Sequence, residues 1–181
     1  MLRIYANRSD GSEVYPDKIA RNLSPTLYLA IRAKVMILWN INTSLGLVNG
    51  ATGIVKDFLY EDGDKAIKLP YAVICVCNDY KGPPFFSDAG KAEWVPIKAE
   101  IPKWGESNVC FREQIPITLS WAVTIWKSQG STYHCPVYIT VGDVEREQGI
   151  SYVAFSRATK LSNICISTGC TSTNYSHIKA N

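Results

Sequence analysis

The stretch TIWKSQGSTYH, Thr124 to His134, sets a Lys-Ser-Gln-Gly turn between a helical apolar spacing and a β-branched run. Before it, Leu119, Ala122, Val123 and Trp126 fall at the i, i+3, i+4, i+7 positions of one face, which predicts a short helix that Gly130 ends. After it, Pro136 to Val141 is β-branched and aromatic and is bounded by Gly142-Asp143, as a buried strand of a parallel sheet would be. A second helix is expected to carry Tyr152, Val153, Phe155 and Arg157, with Ser151 as its N-cap, and Asn163 to Ser167 returns as a strand. Helix, strand, helix, strand is α/β texture. Sheets of that class hold ligands at the carboxyl ends of strands and at helix termini, where both marked turns lie.

Upstream the texture is strands and turns. LRIYA, from Leu2, is a short strand-like piece that passes through Ser9-Asp10-Gly11 into a turn. From Leu27 to Val109 come LYLAI, KVMILWNI, ATGIVKDFLY, AIKLPYAVICVCN and AEWVPIKAEI, separated by Gly46, Asn49-Gly50, Glu61 to Asp64, Asn78-Asp79 and Gly82-Pro83-Pro84. Short strands at this spacing predict a small antiparallel barrel. The chain is thus expected in three parts: a leading segment over 1–26, the barrel over 27–109, and an α/β part over 110–181.

With 181 residues, 46% hydrophobic and 19% charged, the chain can bury a core in one domain or two small ones, which excludes a disordered tail. A net charge of +3 permits contact with phosphates but falls short of a dedicated nucleic-acid domain. The six cysteines, Cys75, Cys77, Cys110, Cys135, Cys165 and Cys170, lie mostly in apolar strand-like surroundings without a leading signal peptide, so they read as buried free thiols of a reducing compartment. Cys75-x-Cys77 lacks the spacer and the distant partner pair of a zinc site, so no metal site is expected. His134 and His177 have no catalytic partner at useful spacing, and no apolar run reaches the length of a membrane span. Trp121 and Trp126 read as core or interface aromatics.

A nucleotide-driven motor needs a Gly-rich phosphate loop, and no G-x-x-x-x-G-K-[ST] occurs in this sequence. Its one Gly-Lys pair, Gly90-Lys91, has Phe85 where the first glycine would stand and Ala92 where the hydroxyl would.

Three blocks nevertheless resemble the carboxyl-terminal part of Pif-one-like DNA helicases, the RecD-related branch of helicase superfamily one. VMILWNINTSLGLVNGATGIV, Val35 to Val55, is similar to the segment that opens the family's barrel. REQIPITLSWAVTIWKSQGST resembles the fifth motif and its run-in, matching at Arg112, Gln114, Pro116, Trp121, Ala122, Thr124, Lys127, Ser128, Gln129, Gly130 and Thr132. SYVAFSRATK resembles the sixth motif, matching at Tyr152, Val153, Ala154, Ser156 and Arg157.

The resemblance implies a partial RecA-like second motor domain, of the P-loop-NTPase type but without the loop, preceded by a small inserted barrel of Src-homology-three type. It implies a fragment of an ATP-dependent, 5′-to-3′ DNA helicase of genome maintenance. Arg157 takes the place of the arginine finger that reaches the γ-phosphate, where a permanently charged planar donor suits the spread negative charge of the transferring group. Gln129 and Gly130 join it at the nucleotide. Thr124, Lys127, Ser128 and Thr132 are implied contacts to single-stranded DNA, gripping phosphates without reading bases. ATP and magnesium would be held mainly by a first motor domain, in cis or in trans, and no membrane is involved. The compartment implied is the nucleus or mitochondrion of a eukaryote, or else the cytoplasm.

Two positions depart from the family pattern. Trp126 stands where the fifth motif has His before Lys, which removes a donor next to the DNA track, and Trp39 stands where Arg follows the Val-Met-Leu run, which removes one basic contact of the barrel. With Met1 falling inside the second motor domain, the sequence reads as a truncated product or a mobile-element relic. The alternative to a motor fragment is a non-catalytic nucleic-acid or protein-binding module.

Overall fold

The computed structural model describes residues 1–9, 16–60, 69–105, 110–140 and 148–167. The turns expected at Asp10-Gly11, Glu61 to Asp64 and Gly142-Asp143, together with Cys170 and His177, lie outside the described residues. The chain forms two compact units, Met1–Trp121 and Ala122–Asn181.

Among the described residues the first unit is strands and turns with one short 3₁₀ helix, Ala89–Lys91. β1 (Leu2–Tyr5) pairs antiparallel with β3 (Thr26–Leu29), so LRIYA is a strand as expected. Alternation decides its faces: Ile4, Leu27 and Leu29 go inward, while Tyr5 and Tyr28 stay at the surface with Arg3 stacked between their rings. The main sheet contains β4 (Lys34–Ile37), β5 (Thr52–Leu59), β6 (Ala72–Cys77), β7 (Trp94–Lys98) and β10 (Ile117–Leu119). Its order is β10-β4-β5-β6-β7, and every pairing is antiparallel. β6 lies between β5 and β7 and reads AVICVC because neighbours and packing cover nearly all of it. A register shift between Val55 and Asp57 bends β5, and Gly53 lets the β6 backbone approach, since a Cβ there would lie 2.7 Å from the Val76 carbonyl. Val35, Val55, Val73, Val95, Ile97 and Ile117 fill the core between these strands.

β2 (Asn7–Arg8), β8 (Lys103–Trp104) and β9 (Cys110–Glu113) form a separate three-stranded sheet in the order β2-β9-β8. β9 and β10, expected with the α/β part, therefore pair inside the first unit. The reason is local: Ile117 and Leu119 sit opposite Ile37 and Val35 in an antiparallel ladder, so this apolar run completes an edge of the main sheet. The same pairing removes the helix expected over Leu119 to Trp126. Leu119 closes a strand, and Ala122, Val123 and Trp126 are exposed rather than stacked on a core. Helical spacing without an apolar surface to cover does not sustain a helix this short.

Turn chemistry shapes the loop from β4 to β5. The Asn42 Oδ1 accepts from the Ser44 hydroxyl at 2.7 Å and the Leu45 amide at 3.2 Å, and Asn40 Oδ1 accepts from the Asn49 amide at 2.9 Å. Gly46 follows with φ +81° against the Asp79 carbonyl, where a side chain has no room. Cys75 and Cys77 are buried on one face of β6, and burial first, then the Asp79 charge, pushes the Cys77 thiol up to about 11. Burial raises Cys75 further, reinforced by Cys77. Cys110 is half-buried, but Cys135 and Cys165 are exposed, contrary to the expected burial, because the strands that carry or adjoin them bear only a small cluster.

Among the described residues the second unit has one parallel strand pair, β11 (Val137–Ile139) with β12 (Ile164–Ile166), as the β-branched runs predict. Between them lies α1 (Ile150–Phe155). Its N-cap is Gly149, φ +86°, rather than Ser151, which is buried within the first turn, and Arg157 lies beyond its end. Ile139 and Ala154 centre a small core with Ile125, Val137, Phe155 and Ile164 around it.

No helix among the described residues is long and apolar enough to cross a membrane.

Candidate nucleotide and nucleic-acid site

Among the described residues of the second unit, Arg157 is the charged group held by the most side-chain hydrogen bonds. Its Nε donates to the Val153 carbonyl at 3.0 Å, Nη1 to the Ser131 carbonyl at 3.2 Å and Nη2 to the Ser156 Oγ at 2.9 Å. All three acceptors are neutral. The guanidinium is thus held in place by dipoles while its charge is left for an anion, which suits a phosphate oxygen better than a carboxylate-paired arginine would. It is partly buried, so solvent screens that charge less than at an open surface.

The Ser131 contact draws two separated stretches together. The Tyr133 amide donates to the Arg157 carbonyl at 2.8 Å, the Thr159 amide to the Tyr133 carbonyl at 3.3 Å, and Tyr133 bridges Ala158 in parallel register. The Asn163 amide side chain reaches the His134 carbonyl at 3.3 Å. Ser131 and Tyr133 act here through the main chain, so no side-chain signal in the sequence marks them.

The turn before Ser131 is a 3₁₀ helix, Trp126–Ser128, not the end of an α-helix. Thr124 Oγ1 accepts from the Lys127 amide at 3.4 Å, and Ser128 Oγ donates to the Ile125 carbonyl at 2.6 Å. Ser128 is buried, whereas Thr124, Lys127, Gln129 and Thr132 are exposed. Of the four residues expected at DNA, three present side chains to solvent and Ser128 spends its hydroxyl on its own turn. Gln129 donates its amide to the Trp126 carbonyl at 3.2 Å, and Gly130 takes φ +84° with open space around it. Trp121 and Trp126, expected as packed aromatics, are 67% and 49% exposed. The apolar cluster of the second unit is too small to cover Trp126, and Trp121, at the end of the first unit, has the Lys34 ammonium 5.5 Å from its ring centroid.

Among the described residues no group of three or more His, Cys, Asp or Glu side chains could hold a metal ion.

A parallel strand pair, an exposed Gln-Gly turn and an arginine bonded to the Ser131 carbonyl just beyond that turn make up this site. Two solved structures carry the same fold across nearly all of this chain. One describes DNA unwinding at forked double-stranded DNA by two coordinating Pif1 helicases, with TM-score 0.70, 24% identity, and coverage of 97% of this chain and 36% of that one. Another is Pif1 helicase from Bacteroides with ADP-AlF3 and single-stranded DNA, with TM-score 0.66, 23% identity, and coverage of 98% and 38%. Residues 18–58 match the family model described as DNA helicase Pif1, 2B domain. The ATP-dependent DNA helicases PIF1 of Danio rerio and Homo sapiens are each 34% identical over 142 residues, 78% of this chain and 19% of theirs. The chain is a Pif1-type helicase segment, and it spans about a fifth of the length of these curated relatives.

Proposed function

We propose that this segment is the carboxyl-terminal, second-motor-domain portion of an ATP-dependent 5′-to-3′ DNA helicase that acts on single-stranded DNA. On this reading residues 1–26 lead into the motor domain. The antiparallel strands within 27–109 are the inserted barrel of Src-homology-three type, and residues from 110 onward carry the fifth and sixth motifs, β9 and β10 forming their run-in. The observation that carries the proposal is the neutral cradle of Arg157, bonded to Val153, Ser131 and Ser156.

ATP would bind with magnesium mainly on a first motor domain, in cis or in trans. The nucleotide supplies the phosphoryl group whose transfer drives movement. Arg157 would neutralise charge on its γ-phosphate, with Gln129 and Gly130 lining the approach through side chain and open backbone. Because the Arg157 Nη1 bond ends on Ser131, a pull on the guanidinium bears directly on the turn that offers Thr124, Lys127 and Thr132 to a DNA strand. That linkage is how a change at the phosphate would reach the strand. DNA contact of this kind grips phosphate and ignores sequence.

The test joins this segment to a first motor domain from a Pif1 relative and measures DNA-stimulated phosphate release. Arg157→Lys is expected to lower turnover by about 10³-fold while nucleotide affinity holds. Turnover within a few fold of the parent would reject the finger role.

A further inference from the structure

We propose that the surface cleft lined by Arg21, Asn22, Leu38, Trp39 and Asn40 binds an unpaired nucleobase, stacked on the Trp39 indole with Arg21 serving the adjoining phosphate. The inference rests on the single-stranded-DNA reading above, but its site is in the first unit and uses none of the residues assigned there.

The cleft measures about 460 Å³, within the range of small-ligand sites. Its floor is built rather than incidental. Trp39 is half-buried, and its Nε1 donates to the Arg21 carbonyl at 2.8 Å, which fixes the ring's orientation. The Arg21 guanidinium lies 5.6 Å from the ring centroid, near the outer limit of a cation–π contact. An exposed cation seated that loosely covers the ring face while leaving it for a better-stacked planar group. Asn40 is oriented by accepting from the Asn49 amide at 2.9 Å, which leaves its NH2 group to donate to a base carbonyl.

The backbone of the cleft is strained. Arg21 and Asn22 have φ 51° and 63°, consecutive left-handed residues without a glycine. Such a turn persists only where its surroundings hold it, and strain of this kind gathers at binding sites. Here the Asn22 amide donates to the Asp17 carbonyl at 2.6 Å, and the buried Arg112 donates to both the Asp17 carboxylate and the Leu23 carbonyl. The clamp holds the turn that sets Arg21 over Trp39.

The lining selects the ligand class. Among the described residues it offers one aromatic face, one cation and amide groups, with no carboxylate, so an anionic polymer with planar rings fits it. Bases in a duplex are already stacked, which restricts the occupant to a single strand.

The test uses the full chain with a labelled oligothymidylate carrying one 5-iodouracil, irradiated and mapped by peptide mass spectrometry. The expected crosslink is on the peptide containing Trp39. By anisotropy, an abasic oligomer of equal charge should bind about tenfold more weakly than oligothymidylate, Trp39→Leu should erase that difference, and Trp39→Phe should keep it. Crosslinks confined to other peptides, or equal affinity for abasic and thymidylate oligomers, overturn the proposal; the abasic comparison on the parent chain decides this even if Trp39→Leu fails to fold. A Trp39 crosslink with binding indifferent to Lys127→Ala sustains the cleft and instead rejects the strand contact assigned to the fifth motif. No binding of oligothymidylate overturns both.

Discussion

Arg112 and Asp17 stand 95 residues apart in sequence, and their side chains meet at 2.8 Å, Arg112 Nη1 to Asp17 Oδ1. The arginine side chain is wholly buried and the aspartate is half exposed, while the same Nη1 also reaches the Leu23 carbonyl at 2.7 Å. β9 thereby fastens the segment from Asp17 to Leu23, including its left-handed turn, to the core of the first unit. Replacing Arg112 by methionine removes a charge-assisted clamp and leaves a buried carbonyl unsatisfied, so urea denaturation should show a loss of about 3 kcal/mol. Asp17→Asn should cost less than about 1 kcal/mol, because the exposed carboxylate is screened. Equal losses would mean that the ion pair, not the buried carbonyl contact, holds the segment.

Gly46 and Gly130 share a left-handed backbone and differ in their surroundings. A Cβ at Gly46 would fall 2.0 Å from the Asp79 carbonyl oxygen, whereas at Gly130 it meets nothing within 4 Å. Gly130→Ala should therefore cost only the backbone strain, about 1 kcal/mol, and Gly46→Ala more than about 2 kcal/mol. Thermal unfolding of the two variants measures the difference, and a similar cost for both would contradict the close packing of the loop on Asp79.

Thiol labelling at pH 8 in a Cys170→Ser background should modify Cys135 and Cys165 at once, and Cys75 and Cys77 only on unfolding. The raised Cys77 value carries a sign. Protons bound by the native thiol are released on unfolding, so this contribution is complete below about pH 9 and is lost as pH rises toward about 11. Denaturation midpoints should fall over that window, and less so in Cys77→Val. A midpoint drop of the same size in the variant would place the alkaline sensitivity elsewhere.

The strands and the parallel pairing were legible because both rest on local pattern. Ile4, Leu27 and Leu29 alternate with surface residues, and Val137 to Ile139 and Ile164 to Ile166 are compact apolar runs. The misread helix at Leu119 to Trp126 shows the limit of such reading. Its spacing satisfied the helical template, but the competing partner, Val35 to Ile37, lies more than 80 residues away and captured Leu119 as an edge strand. Ser151 failed as a cap for a similar reason, since Gly149 offers the left-handed entry that α1 uses. In the candidate site, Arg157 was singled out by its motif as an expectation. Its cradle was not, because two of its three acceptors are backbone carbonyls that any residue could supply. The Arg112 clamp and the Arg21–Trp39 cleft depend on pairs distant in sequence, and no periodicity reports them.

Lys127 should contribute to DNA affinity without contributing to sequence preference. Anisotropy with labelled homopolymers at two salt concentrations should give weak binding and a shallow salt slope, with Lys127→Ala weakening every homopolymer about equally. Tight, sequence-selective binding indifferent to salt and to Lys127 would favour a dedicated binding module.

If Arg157 completes a nucleotide site whose phosphate loop lies on another domain, steady-state phosphate release reports it. The chain by itself should show no hydrolysis stimulated by single-stranded DNA, while the same chain joined to a first motor domain should, in a manner lost with Arg157→Ala. Hydrolysis by the chain alone that depends on DNA and disappears with Arg157→Ala would contradict the account.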